Sequence, residues 1–240
     1  FTPTYTKPMV READDTEREI NRQDIKNRQP LPREAEALII EELRSCIEHA
    51  DGIAIADQVQ ERNYGVVTDR VRDEIARLAE EYPEKVFCAD SRMRIGEFRG
   101  IMLKPNRHEA AAAADPEHEG EVSLRLAREC GQELLRRTGK PVFVTVGEEG
   151  IIACTHEAAV HVPGVRVTGE TDIVGAGDAT MAGIVLSLCA GATPEEAALV
   201  ANLVASITIQ QLGTTGTASP EQVLAKMTEM ATDYESRSRR

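Results

Sequence analysis

Residues 171–180 read TDIVGAGDAT, so that Gly175, Ala176 and Gly177 run directly into Asp178. An apolar helical pattern, MAGIVLSLC, begins at Met181. Small residues at a helix start leave the first backbone N–H groups uncovered, and these orphan donors, with the helix dipole, suit an anion. A carboxylate beside them can take a proton from an attacking hydroxyl while the amides steady charge on a group in transfer. The same residues also have a plain use: glycines for close packing, and Asp178 as partner of the helix dipole. Local sequence leaves both readings open.

A second cluster is LKPNRHEA, which brings Lys104, Asn106 and Glu109 to the end of an expected strand. Asn106 and Glu109, three apart at a helix start, share a face and can hold a hydrated magnesium ion. Equally, Asn106 caps the helix and Glu109 closes a capping box, and the two uses are compatible. TVGEEG (145–150) makes a turn that lines a nucleotide or merely joins a hairpin. His49, His108, His118, His156 and His161 are scattered, and none is assigned a ligand or catalytic role. A Walker A sequence, a G-x-G-x-x-G after the first strand and a G-x-S-x-G elbow are all missing.

These residues need strand ends and helix starts to position them. Residues 1–30 read as an exposed hairpin or small ribbon, with disorder as the competing reading. A helix follows Pro32, with Leu38, Ile39, Leu43 and Ile47 on one face. DGIAIAD, ending at Asp57, reads as a buried parallel strand. Helix over 68–82, strand KVFCAD and strand GIMLKPN continue the alternation. Helices are expected over 106–114 and 119–138, strands in PVFVTVGEEGIIACT and AVHVPG, and helices over 176–190, 194–211 and about 219–232. The pattern predicts an α/β fold, a doubly wound, mainly parallel sheet with helices on both faces. Ligands of such sheets gather at the carboxyl ends of strands.

The formal net charge of −13 argues against a nucleic-acid or anionic-membrane partner, because a negative field repels phosphates. It leaves room for one small anion pocket built from backbone amides and a metal. Five dispersed cysteines without a C-x-x-C pair fit reduced core thiols in a cytoplasmic protein. No apolar run reaches bilayer length.

Taken together and in this order, LKPNRHE, VTVGEEG and DIVGAGDATMAGI resemble the ribokinase-like (PfkB-type) carbohydrate kinase family. ANLVASITIQQLGTTGTASPEQV is similar to the family's C-terminal helix and following loop. The heptose-phosphate kinase branch is the nearest likeness, through the LGT loop, the IAD strand end and the R-x-D segment Arg22-Gln23-Asp24. The resemblance implies ATP-dependent phosphorylation of a hydroxyl group of a sugar or sugar phosphate. It makes Asp178 the general base and Gly175, Ala176 and Gly177 the anion hole, with Asn106 and Glu109 organising Mg2+ through water. Thr145, Gly147 and Gly150 would line the nucleotide, with Asn202 near the adenine and the loop at Gly213 below it. Residues 1–30 would be lid strands over the sugar and residues 31–240 the nucleotide-binding α/β domain. A lid that buries little apolar area alone leaves room for a homodimer through its strands.

Two departures qualify this expectation. Ile173 and Val174 stand where the family often carries hydroxyl side chains, so any hydrogen bond these make to phosphate is lost while the glycine amides remain. The family's opening strands, with a Gly-Gly-Asn segment and an early aspartate, match nothing in this chain, and the resemblance begins at the lid. A fragment, a shortened kinase that dimerises over the gap, and a non-catalytic nucleotide-binding or dimerisation module derived from the same fold are the competing explanations. A Rossmann-type oxidoreductase is disfavoured by the missing glycine fingerprint.

Overall fold

A computed structural model of the chain describes residues 2–15 and 17–238. Its N-terminal part is an antiparallel ribbon in two steps. Strands β1 (Thr4–Thr6) and β4 (Gln23–Ile25) pair at the base, and β2 (Met9–Arg11) and β3 (Glu17–Glu19) pair beyond them. Every residue of these strands is exposed, so no apolar burial holds them. Cross-strand ion pairs such as Lys7–Glu19 and Arg18–Glu12 decorate the ribbon, and solvent-exposed pairs of this kind contribute little.

The chain then enters α1 (Arg33–Ile47), whose acidic first turn suits the helix dipole. Ile39, Ile40 and Leu43 pack on the core beside the fully buried Ile47, whereas Leu38 is 55% exposed, correcting its expected place on the buried face. Helix α2 (Asp69–Glu81) starts at Thr68, whose hydroxyl accepts the Val71 N–H, and it buries Val71, Ile75 and Leu78 at helical spacing.

Strands β5 (Gly52–Asp57), β6 (Val86–Ser91), β7 (Met102–Leu103), β8 (Val142–Thr145), β9 (Gly150–Cys154) and β10 (Ala159–Pro163) form one six-stranded sheet in that spatial order. The first four run parallel, β9 pairs antiparallel with β8 and β10 antiparallel with β9, so the expected mainly parallel sheet is present. Helices α1, α2, α3 (Arg107–Ala114) and α4 (Leu124–Thr138) build the larger core on one face around Ile55, Phe87, Leu103, Val142 and Ile152. Helices α5 (Ala176–Cys189) and α6 (Pro194–Thr208) cover the other face, meeting Cys88, Phe143 and Ile151, and α7 (Pro220–Ser238) leans on α6. The strand pleat sends alternate side chains to the two faces, which is why both need helices.

Three expectations need correction. Strand β5 lies at the sheet edge rather than fully buried, with Ala54 and Ala56 exposed. Residues 119–123 are not helical: Ser123 caps α4 by accepting the Leu126 N–H, which fixes the start at Leu124. All five cysteines are free thiols, but only Cys88, Cys130 and Cys154 are in the core, while Cys46 and Cys189 are exposed. No helix among the described residues is long and apolar enough to cross a membrane.

Candidate active site

Gly175 caps α5 in a left-handed conformation, φ 79° and ψ −1°, where a side chain would be strained. A Cβ there would also meet Thr215 Cγ2 at 2.6 Å, so the loop after α6 lies directly against this turn. Asp172 fixes the approach. Its carboxylate accepts the N–H groups of Val174 at 3.0 Å and Gly213 at 3.2 Å, and its own N–H reaches the Ile209 carbonyl at 2.8 Å. The Gly213 loop is thereby joined to the glycine turn. Gly177 and Asp178 are exposed, as are the apolar replacements Ile173 (77%) and Val174 (53%).

Behind Gly177 sits a buried ion pair. Lys104 Nζ donates to Asp90 Oδ2 at 2.8 Å, with the two side chains 3% and 12% exposed. A Cβ on Gly177 would stand 3.7 Å from Lys104 Nζ and 3.9 Å from Asp90 Oδ2, so the pair adjoins the first turn of α5. The sequence singles out Lys104, whereas Asp90 is there only the last residue of the expected strand KVFCAD. An acid at the carboxyl end of a buried parallel strand was the available signal.

Asn106 and Glu109 form the capping box of α3. The Asn106 side chain accepts the N–H groups of His108 and Glu109 at 2.9 Å, and Glu109 Oε2 accepts the Asn106 N–H at 2.8 Å. Burial raises the Glu109 carboxyl above its usual range and the Asn106 N–H opposes that; Asp90 adds to the rise, while Lys104 and Arg92 pull it down. These influences set Glu109 in one electrostatic cluster with the Asp90–Lys104 pair. Thr145 bridges Asn106 at the end of β8, its N–H bonded to the Pro105 carbonyl at 2.9 Å.

The remaining expected site residues, Gly147, Gly150 and Asn202, differ in their surroundings. Gly147 is exposed at φ 67° with open space where a Cβ would go. Gly150 is buried, and a Cβ would lie 2.3 Å from the Val162 carbonyl oxygen, so the residue is glycine because β10 approaches its backbone. The Asn202 amide donates to the Val162 and Pro163 carbonyls, both at 3.1 Å, tying α6 to β10. Two groups of residues result. Residues 175–178, Lys104, Asn106, Glu109 and Thr145 gather where strand ends meet the start of α5, whereas Gly150 and Asn202 meet around β10. His108 is exposed, and no cluster of three metal-ligating side chains occurs among the described residues.

Residues 101–222 match the model of the pfkB family carbohydrate kinases. The chain is 34% identical to the bifunctional protein HldE of Bradyrhizobium diazoefficiens, over 80% of this chain and 38% of that protein. It is 28% identical to HldE of Trichlorobacter lovleyi, over 98% of this chain and 48% of the relative. The chain thus spans less than half the length of these curated relatives. Among solved structures, phosphofructokinase-2 of Escherichia coli in complex with potassium superposes with a TM-score of 0.70 at 18% identity, covering 93% of this chain and 70% of that one. Ribokinase of Thermotoga maritima gives 0.63 at 17%, covering 94% and 70%.

Proposed function

The chain belongs to the pfkB family of carbohydrate kinases, and on that premise we propose that it transfers the terminal phosphoryl group of ATP to a hydroxyl of a sugar or sugar phosphate. The observation that carries this reading is the exposed Gly177 turn at the start of α5, with the Lys104–Asp90 pair directly behind it. Asp178, in the first turn, accepts the proton of the acceptor hydroxyl, and the N–H groups of residues 175–177 hold the group in transfer. Lys104 brings an ammonium next to the turn, with its charge balanced by Asp90. Gly147 and Thr145 line the nucleotide from the strand-end side, with the Gly213 loop below it.

The donors present fit Mg2+, which keeps several waters and takes one or two carboxylates alongside substrate phosphates rather than a full protein cage. Glu109 commits one carboxylate oxygen to the Asn106 N–H, leaving the other for a metal-bound water, and Asn106 stands beside it. The ion would neutralise charge on the phosphates. Gly150 and Asn202 in this reading lie beside the nucleotide and hold the β10 backbone there.

The ribbon would act as a lid over the acceptor. Its Tyr5, Met9, Val10, Ile20 and Ile25 are exposed, and a two-stranded ribbon is marginal alone. We therefore propose a homodimer through these strands. A cytoplasmic setting is supported by the free thiols.

The test is ADP release from ATP and Mg2+ against a panel of sugars and sugar phosphates, with wild type beside Asp178→Asn. Turnover on a panel member that falls about 10²–10⁴-fold in the variant, with ATP binding kept, supports the kinase. ATP binding without turnover across the panel would favour the non-catalytic nucleotide-binding module.

A further inference from the structure

The loop after β5 carries the ribbon. Lys26 pairs with Glu61 at 3.5 Å, the Asn27 amide donates to the Tyr64 carbonyl at 3.1 Å, and the Leu31 N–H donates to the Asn63 carbonyl at 2.8 Å. The junction between ribbon and domain is therefore seated on residues 61–64.

That loop is in turn clamped by a buried arginine from the end of β6. Arg94 Nη2 lies 3.2 Å from Asp57 Oδ1, with the two side chains 7% and 2% exposed. The same guanidinium donates to the Gln60 carbonyl at 2.8 Å and to the Val59 carbonyl at 2.5 Å. Ser91 completes the knot: its hydroxyl donates to Asp57 Oδ2 at 2.6 Å and accepts the Arg94 N–H at 3.1 Å. Asp90, the residue before Ser91, holds Lys104 behind the Gly177 turn. Neighbouring strand residues point to opposite faces, so one strand end serves both the ribbon mount and the phosphate side.

A buried ion pair is weak evidence for stability, because desolvation opposes the attraction. Arg94 Nε, moreover, is buried without a partner among the described residues. The planar fork of arginine does something a hydrophobic pair cannot: it donates to two carbonyls and a carboxylate at once. We propose that Arg94 is a positioning residue, which by pairing with Asp57 and holding the Val59 and Gln60 carbonyls fixes the loop that mounts the ribbon, and so sets how the ribbon stands over the acceptor. The last step rests on the kinase reading; the mount itself does not.

Arg94→Lys keeps a charge beside Asp57 but removes the fork. Trypsin cleavage at Lys26 and Arg28 in the native variant is expected to rise about tenfold or more, because cleavage follows local opening, while cleavage within residues 69–231 stays unchanged. The acceptor KM should rise about tenfold with the ATP KM within about twofold, a split that a general loss of structure would not give. Unchanged cleavage at the junction, or cleavage and both KM values rising together throughout, overturns the proposal. If Arg94→Lys does not fold, Asn27→Ala opens the mount from the ribbon side and should give the same faster cleavage at Arg28; no change there also overturns it. Should wild type show no turnover on any acceptor, the cleavage result alone decides the mount, and the kinase reading fails separately.

Discussion

Lys104 and Asp90 form a buried ion pair 2.8 Å long whose ammonium stands 3.7 Å from the vacant side-chain position of Gly177. Lysine and aspartate, fourteen positions apart in the numbering, thus meet behind a turn more than seventy positions further on. Removing one partner leaves the other buried and charged. Lys104→Met should lower unfolding free energy by about 3–5 kcal/mol, measured by urea titration. The double change Lys104→Met with Asp90→Asn should cost clearly less than the two single changes summed, since the pair is one unit. Additive losses would mean that the two side chains do not interact.

Gly175 is held at φ 79° with Thr215 Cγ2 where its Cβ would be. Gly175→Ala therefore combines backbone strain with a clash and should destabilise by about 1–3 kcal/mol. Adding Thr215→Ser removes the clashing methyl but not the backbone strain, so it should recover part of the loss in a thermal melt. Full recovery would show that the left-handed conformation carries no penalty here.

Glu109 gives a pH dependence of definite sign. Its carboxyl is raised in the folded state, chiefly by burial. Its contribution to stability is therefore fully present below the unfolded-state value, about 4.3 for glutamate, and lost as pH rises through the raised folded value. Glu109→Gln removes that loss, and the difference from wild type in denaturant midpoint should narrow as pH is lowered through the carboxylate range. In the kinase reading the same group is ionised when it holds Mg2+, because the cation favours the carboxylate. A Mg2+ requirement unaffected by Glu109→Gln would remove this residue from the metal's surroundings.

The thiols should divide by position. Burial pushes Cys88 up to about 12 and Cys154 to about 11, and raises Cys130 as well. Thiolate is the reactive form, and although partial burial raises Cys189 too, it and Cys46 are exposed, so a neutral-pH thiol reagent should modify these two in the native protein and reach the other three only in denaturant. Mass mapping of the labelled peptides checks this, and early labelling of Cys88 would contradict its burial.

Much of the site was legible because it is local. The start of α5 at Ala176, the capping box of Asn106 and Glu109, and the alternation of apolar strands with amphipathic helices follow from propensities acting within a few residues. The same locality explains the errors. Leu38 is exposed despite its spacing with Ile39 and Leu43, and residues 119–123 stay outside α4, because periodicity alone does not fix rotation or a helix's first residue.

What the sequence by itself determined, then, is which segments become strands and helices, and that a glycine turn with Asp178 opens α5. Only the tertiary structure decided that Asp90 meets Lys104, that Asp57 meets Arg94, and that Gly150 and Asn202 serve β10. Those pairings depend on strand order and on which side of the pleat each residue faces, and such contacts form between segments whose own sequences carry no record of their partner.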